Sequence, residues 1–364
     1  MALIGETFII AVYILCVIVH LLYWVGIFYK LKPTGQIVKE ASNPHSIVVC
    51  YKDEEDNLQN IIPTILSQSA DEVIMVDDFS TDKSRQIVEH TNADTINSVT
   101  TDIDRPGKKA ALYKGVSSAS HKVVLLTDAD CQPSSEFWSK HMNNGIIDAD
   151  ICLGYAPMYK GQGWLSIFSR YETYLTGIQS IGYAQAGMPY MGVGRNMAVA
   201  KDTALPILTD MQSDDLASGD DDLLVQQVIK NKGKVNTVVH PDAFVYSHSP
   251  ESWRKYIRQK SRHMTTSVVY RFLHQLLLAV FAASHMLTFL LLLVILIFSQ
   301  QYLTLALTIL TLKWFVQLVV NYKLMGILKE RDLWIKFPLL DIATFVFYTV
   351  MTPYLLIKNK KQWS

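Results

Sequence analysis

Residues 122–130 read KVVLLTDAD. An uncharged run of strand-forming residues stops on Asp128 and Asp130, and residues 73–82, VIMVDDFSTD, do the same with Asp77 and Asp78. Apolar runs without polar alternation mark strands covered on both faces, as in parallel sheets sandwiched by helices. In open sheets of that kind, ligands bind just beyond the carboxyl ends of the strands. Both acidic pairs therefore fall where a ligand would sit.

Working outward, strands and helices alternate. Residues 46–51 (SIVVCY) form a short β-branched run, and 56–68 follow with Leu58, Ile61, Ile62 and Ile65 at helical spacing, interrupted by Pro63. After a strand over 73–76, residues 81–90 (TDKSRQIVEH) read as a helix capped by Ser80 or Thr81, with Asp82 near its positive end. Residues 95–100 give a third strand, 107–119 a helix, 122–127 a fourth strand and 135–145 another helix. This order specifies an α/β fold with a mostly parallel sheet. Residues 164–186 carry aromatic side chains at roughly helical spacing and read as a buried or membrane-apposed helix, followed by Gly187, Gly192 and Gly194, which allow close backbone approach.

The α/β stretch is bracketed by apolar segments. The chain has 364 residues, 50% hydrophobic and 18% charged, with a formal net charge of +0. Residues 8–29 and 276–298 carry no formal charge, and each reaches the about 20 residues that a spanning helix needs. The first segment lacks a preceding basic residue and a small-residue cleavage site, so it reads as an uncleaved anchor rather than a secretory signal. Lys30 and Lys32 follow it directly, which puts the amino terminus outside and the large domain in the cytoplasm of a cell (inner) membrane protein. Cys16, Cys50, Cys131 and Cys152 have no metal-type spacing and read as buried thiols in a reducing compartment. Balanced charge argues against a nucleic-acid partner.

Toward the carboxyl end, residues 276–298, 303–320 and 337–357 are candidate spans, and Lys323, Lys329, Arg331 and Lys336 mark a cytoplasmic loop between the last two. Three spans would leave Lys358, Lys360 and Lys361 outside, against the same rule, so 337–357, with Pro338 and Pro353, reads as either spanning or re-entrant. Lys313 and Asp341 stand inside apolar segments, either snorkelling to the interface or forming an intramembrane ion pair. The expected organisation is an anchor over 1–32, a cytoplasmic domain over 45–250, a basic interfacial helix over 251–272, and a membrane region over 273–364 with two or three apolar segments.

The acidic residues suggest chemistry. Asp77 and Asp78, leaving the second strand, are placed to accept hydrogen bonds from a ribose or base. Asp128 and Asp130, one residue apart, can approach one Mg²⁺ or Mn²⁺ from a single turn. Either pair alone reads as solvated turn residues; both at strand ends of one sheet point to a site. Asp220, Asp221 and Asp222 form a third group, and Asp222 also suits the start of a helix over 222–230. Residues 251–271, rich in Arg and Lys with Trp253, Tyr256 and Ile257 interleaved, suit an interfacial helix facing membrane lipids. His240 and His248 have no spaced partner and read as structural.

Taken in order, YKDEEDNL (51–58), VDDFSTD (76–82), GKKAALYKG (107–115), TDAD (127–130), GVGRNMA (192–198), SGDDDLL (218–224) and QKSRH (259–263) resemble the motif set of membrane-bound family-2 glycosyltransferases, the group containing cellulose, hyaluronan and chitin synthases and ceramide glucosyltransferase. The resemblance covers about residues 46–263. It implies a nucleotide-diphosphosugar transferase domain of the GT-A type that inverts the anomeric centre. Glu54 and Asp78, with Asp77 beside them, would bind the nucleoside, Lys108 the uracil or diphosphate, and Asp128 with Asp130 the diphosphate through the metal. Asp221 aligns with the base, with Asp220 next in rank. Gln259 and Arg262 would line the acceptor and diphosphate end. His263 stands where relatives have a Trp that stacks on the acceptor, a departure that counts against processive synthesis. Tyr113, Lys52 and Asp53 also depart from the pattern and blur the nucleotide preference. The expected activity is transfer from a nucleotide diphosphosugar, UDP-linked, to a lipid or lipid-linked glycan. The alternatives are a processive polysaccharide synthase, for which the apolar segments are few, and a silent membrane scaffold.

Overall fold

The computed structural model describes residues 2–35, 43–91, 93–102, 107–212, 219–264 and 270–357. It divides into a unit of Lys32–Thr266 and a second unit of Met1–Leu31 with Ser267–Ser364. The chain opens in the second unit with helix α1 (Ala2–Gly26).

In the first unit, β1 (His45–Tyr51), α2 (Glu55–Leu66), β2 (Glu72–Asp77), α3 (Ser84–Glu89), β3 (Ile96–Thr100), α4 (Lys108–Ser118) and β4 (Val123–Asp128) follow one another as the alternation requires. Then come β5 (Cys131–Pro133), α5 (Trp138–Gly145), β6 (Ile151–Gly154), α6 (Gly163–Gln185), β7 (Met197–Ala200), α7 (Lys201–Met211), α8 (Asp220–Lys230), β8 (Val235–Val238), β9 (Val245–Ser247) and α9 (Trp253–Met264). Among the described residues the main sheet has seven strands in the order β3-β2-β1-β4-β7-β6-β8. Only β7 runs against its neighbours. The register sets Tyr51 opposite Asp77 and Cys50 opposite Asp128, so β1, β2 and β4 end level with one another. From β1 the chain steps outward to β2 and β3, then returns to the far side of β1 for β4. A crevice opens at such a reversal, between the carboxyl ends of β1 and β4.

Alternate strand residues serve the two faces. Ile47, Val49, Val73, Met75 and Leu125 pack with Leu58, Ile61, Ile62 and Ile65 of α2 and with Trp138 and Met142 of α5. On the other face α4 lies so close that a Cβ on Gly115 would stand 2.4 Å from Val48 Cγ1. Asn196 ties the additional strands to this core: its side chain accepts from Trp138 Nε1 at 2.9 Å and donates to the carbonyls of Tyr155 and Ala243.

Three local expectations change. Helix α2 passes through Pro63 without a break, because Pro63 lies in its last turn and the four buried residues of one face hold the helix to the sheet. Helix α3 begins at Ser84 and is not capped by Ser80 or Thr81. Those two instead bind the turn after β1: Asp53 N donates to Ser80 Oγ, and Asp53 Oδ1 accepts from Thr81 N at 2.6 Å. Asp82 takes the capping role, accepting from Ser84 N. Helix α8 starts at Asp220, two residues before the expected Asp222.

The second unit adds α10 (Phe272–Phe298), α11 (Leu303–Ile327) and α12 (Phe337–Ile357) to α1. Four helices of this unit are long and apolar enough to cross a membrane. Residues 337–357 form one unbroken helix, about 31 Å long at 1.5 Å per residue. Pro338 sits in its first turn, where a missing N–H costs nothing. Lys358, Lys360 and Lys361 lie outside the described residues. Lys313 and Asp341 meet at 2.7 Å, with Lys313 fully buried, so the ion pair and not snorkelling describes them. Trp314 Nε1 also donates to Asp341 Oδ2 at 2.8 Å, and His285 stands 3.6 Å from the other oxygen.

Candidate active site

The turns after β1 and β2 are bound to each other before they offer anything to a ligand. Besides the Asp53 bonds, Glu54 N donates to Ser84 Oγ and Glu55 N to Asp82 Oδ2. Asp53 and Phe79 adopt positive φ, 54° and 58°, a strained geometry for a bulky residue such as Phe79. Asp77 is turned into the protein: Oδ2 accepts from Arg85 Nε at 2.8 Å and Oδ1 from Ser80 N at 2.9 Å, and the residue is almost wholly buried. Its carboxylate holds the turn after β2. Asp78, its neighbour, accepts from Gly107 N at 2.7 Å and Thr101 Oγ1 at 3.2 Å, with Lys52 Nζ 3.8 Å from its other oxygen.

Asp128 ends β4. Lys108, in the first turn of α4, donates to its Oδ1 at 2.8 Å. Burial works to raise the Asp128 pKa, but Lys108, then Arg195 and Arg262, outweigh it and hold the carboxyl below its ordinary value. Lys108 is the reciprocal case. Burial would push its ammonium down, yet Asp128, with Asp221 and Asp220 behind it, holds it above the usual lysine range. Glu54 is raised by burial, countered by Asn57 and reinforced by Asp130 and Asp128. These mutual influences place Glu54, Lys108, Asp128, Asp130, Arg195, Asp220, Asp221 and Arg262 in one electrostatic neighbourhood.

Ligand atoms of Asp128, Asp130 and Cys131 lie within 4.8 Å of one another. Asp130 is exposed, and Cys131 donates its S–H to Asp130 Oδ1 at 2.9 Å. Burial and the two aspartates push the Cys131 thiol well up, and its sulfur is a soft donor, so the hard carboxylate oxygens are the ones a hard cation would take. Such a set suits Mg²⁺ or Mn²⁺.

The third acidic group opens α8, where Gly219 takes φ of 91° before the helix starts. Asp221 Oδ2 accepts from Gly194 N at 2.8 Å and Oδ1 from Asp222 N at 3.0 Å. A Cβ on Gly194 would stand in van der Waals contact with that carboxylate, at 3.4 Å. Asp222 is buried and accepts from Gly192 N. Asp220 is buried too; its Oδ1 meets no hydrogen-bond partner among the described residues, and burial, against the pull of Lys108, pushes its carboxyl up to about 6.

Helix α9 is pinned to α6 by Lys260, 3.3 Å from the buried Glu172, and by Tyr256 against Phe168. Trp253, Arg254, Lys255, Arg258 and Arg262 are exposed, as an amphipathic helix requires. Gln259 is half-buried. The His263 side chain lies outside the described residues.

A family model described as Glycosyl transferase family 2 matches residues 46–199. A second, Glycosyl transferase family group 2, matches residues 124–321, more than half of the chain. The chain belongs to glycosyl transferase family group 2. Among solved structures, mannosyltransferase PcManGT from Pyrobaculum calidifontis, in complex with GDP-Man and Mn²⁺, is similar over 96% of this chain and 96% of its own, at 17% identity and a TM-score of 0.58. That likeness shows the GT-A fold. S. aureus TarS 1–349 is similar over 87% of this chain and 93% of its own, at 17% identity and a TM-score of 0.45. No curated protein sequence matches the chain significantly.

Two residues of this glycosyltransferase have no assigned role in the sequence reading. Arg195 sits inside the GVGRNMA motif, where a cation between glycines and a buried Asn was the available signal. Its guanidinium donates to Ala156 O at 2.8 Å and bears on Asp128. Cys131 follows TDAD directly, but only the fold turns its thiol back onto Asp130.

Proposed function

We propose that this glycosyltransferase moves a sugar, with inversion, from a nucleotide diphosphosugar to a hydroxyl of a lipid or lipid-linked glycan at the cytoplasmic face of the membrane. The observation that carries the reading is the mutual electrostatic influence of Asp128, Lys108, Arg195, Arg262, Asp220 and Asp221, with Asp130 next to Asp128, beyond the carboxyl end of β4. Carboxylates that can hold a cation, cations that can hold phosphates, and a carboxylate able to take a proton are the parts this transfer requires.

Asp78 and Glu54 bind the nucleoside side, and Lys108 with Arg262 binds the diphosphate. Asp128 and Asp130 would hold the divalent cation, which when bound neutralises charge on the leaving diphosphate. Asp221 takes the proton of the acceptor hydroxyl as the acceptor oxygen bonds to the anomeric carbon and the bond to the diphosphate breaks. The N–H groups of Gly194 and Asp222 fix its two oxygens, and each oxygen keeps a lone pair for that proton. The GDP-Man and Mn²⁺ of the similar mannosyltransferase support a nucleotide-sugar donor and a divalent cation. UDP is the first donor nucleotide to try and GDP the second. A membrane-embedded acceptor is supported by the four apolar helices, and the cytoplasmic face by Lys30, Lys32, Lys329, Arg331 and Lys336 flanking them.

The test is purified full-length protein in lipid, given a panel of nucleotide sugars with Mg²⁺ or Mn²⁺. Nucleoside diphosphate release identifies the donor, NMR of the product reads its anomeric configuration, and mass spectrometry counts the sugars added. Retention of configuration would sink the inverting step, and long products would favour a processive synthase. Absence of turnover with every donor would favour a silent scaffold.

A further inference from the structure

His240 carries no metal-type spacing in the sequence, yet the fold sets it against His141 of α5. The two rings stack with centroids 4.3 Å apart and planes at 22°. Asp242 completes the group, with one oxygen 3.7 Å from His240 Nδ1. One ligand atom from each of the three lies within 4.8 Å of the others. We propose that His141, His240 and Asp242 form a second metal site, for Zn²⁺ or another borderline divalent cation, separate from the carboxylate site at the carboxyl end of β4.

The state of His141 is the main support. Its ring is 2% exposed, and Nδ1 lies 2.6 Å from the carbonyl of Gly35. That contact requires the proton on Nδ1, which leaves Nε2 with a lone pair, and among the described residues Nε2 has no hydrogen-bond partner. An imidazole held by a backbone carbonyl through one nitrogen, with the other bare, is the usual preparation of a metal ligand. A buried acceptor lacking a partner is otherwise a cost to the fold.

The other two ligands are accessible. The side chains of His240 and Asp242 are 37% and 50% exposed, so an ion can enter from solvent. In the arrangement described, His240 Nδ1 accepts a long 3.3 Å bond from Asp242 N. Capture of an ion asks the His240 ring to turn out of its stack, which its half-exposed position permits. Two imidazoles and a carboxylate suit Zn²⁺, whereas the Asp128 and Asp130 pair suits harder cations, so the two sites divide the metals between them. The ion would clip α5 and the 240–243 turn together beside the Gly35 carbonyl.

Full-length protein with any histidine tag removed, held in millimolar Mg²⁺, is titrated with Zn²⁺ by calorimetry. One Zn²⁺ per chain is expected, with at least an about tenfold loss of affinity in the His240→Gln, Asp242→Asn double variant. Asp130→Ala should keep the Zn²⁺ site. X-ray absorption of the Zn²⁺-loaded wild type should read two imidazoles and oxygen donors, a result that does not depend on how the variants fold. No uptake by the wild type, unchanged affinity in the folded double variant, loss of uptake in Asp130→Ala, or sulfur in the absorption spectrum would each overturn the proposal.

Discussion

Replacing Asp220 by Asn should stabilise the protein, but only above a pH that the structure sets. Asp220 is 6% exposed and burial pushes its carboxyl from 3.8 to about 6. Below the lower value the group is protonated whether the chain is folded or not, and contributes no difference. Between the two values the folded protein keeps a proton that the unfolded chain has released, so stability falls as pH rises. Above about pH 6 the full cost is present. At 1.36 kcal/mol per pKa unit, a shift of about two units amounts to about 3 kcal/mol. An Asn has the shape of the protonated acid and no charge to bury, so Asp220→Asn escapes the loss. For a unit of this size the apparent Tm should rise by roughly 6–12 °C above neutrality and by almost nothing near pH 4. Thermal melts of both proteins across that range, without nucleotide, provide the measurement. A Tm difference that does not vary with pH, or a variant less stable throughout, would refute the account of Asp220 as an acid whose burial outweighs the pull of Lys108.

Other consequences follow from the same geometry. Asp221→Asn should cut transfer by about 10²–10⁴-fold while nucleoside diphosphate binding, followed by calorimetry, stays close to wild type; if instead Asp220→Asn alone shows that loss, the two carboxylates exchange roles. Asp130→Ala should weaken metal-dependent nucleotide binding, and an unchanged Mn²⁺ dependence would remove Asp130 from the ligand set. In the long apolar helices, Lys313→Met or Asp341→Asn alone should destabilise by about 3–5 kcal/mol, since each leaves a buried charge without its partner. The double variant should recover most of that, and additive losses in detergent unfolding would argue against coupling.

Strands β1, β2 and β4 were legible because each is a run of mostly apolar residues long enough to specify its own conformation, and β2 and β4 end on acids that local rules cannot place inside a core. Three of the four apolar helices were legible on length and charge, the continuity of 337–357 was not because of its two prolines, and Lys313 and Asp341 stood out as charges in apolar segments whose pairing the structure decided. Strands β6, β7 and β8, of four residues each, were not read. Runs that short carry no period, and their pairing joins residues far apart in the chain. Asp77 and Asp78 look alike in sequence, and only the fold gives Asp77 to Arg85 and Asp78 to Gly107 N, Thr101 and Lys52. The same holds for Asp220 and Asp221, and for His141 with His240.

The amino-acid sequence by itself thus determined the class of fold, the long apolar segments and the residue types from which a glycosyl-transfer site is built, because periodicity and composition act over a few neighbouring residues. Tertiary structure alone decided which carboxylate is buried, which is held by backbone N–H groups and which cation bears on Asp128. Those outcomes depend on strand order and register, and so on the distances and burial that govern the strength of a charge.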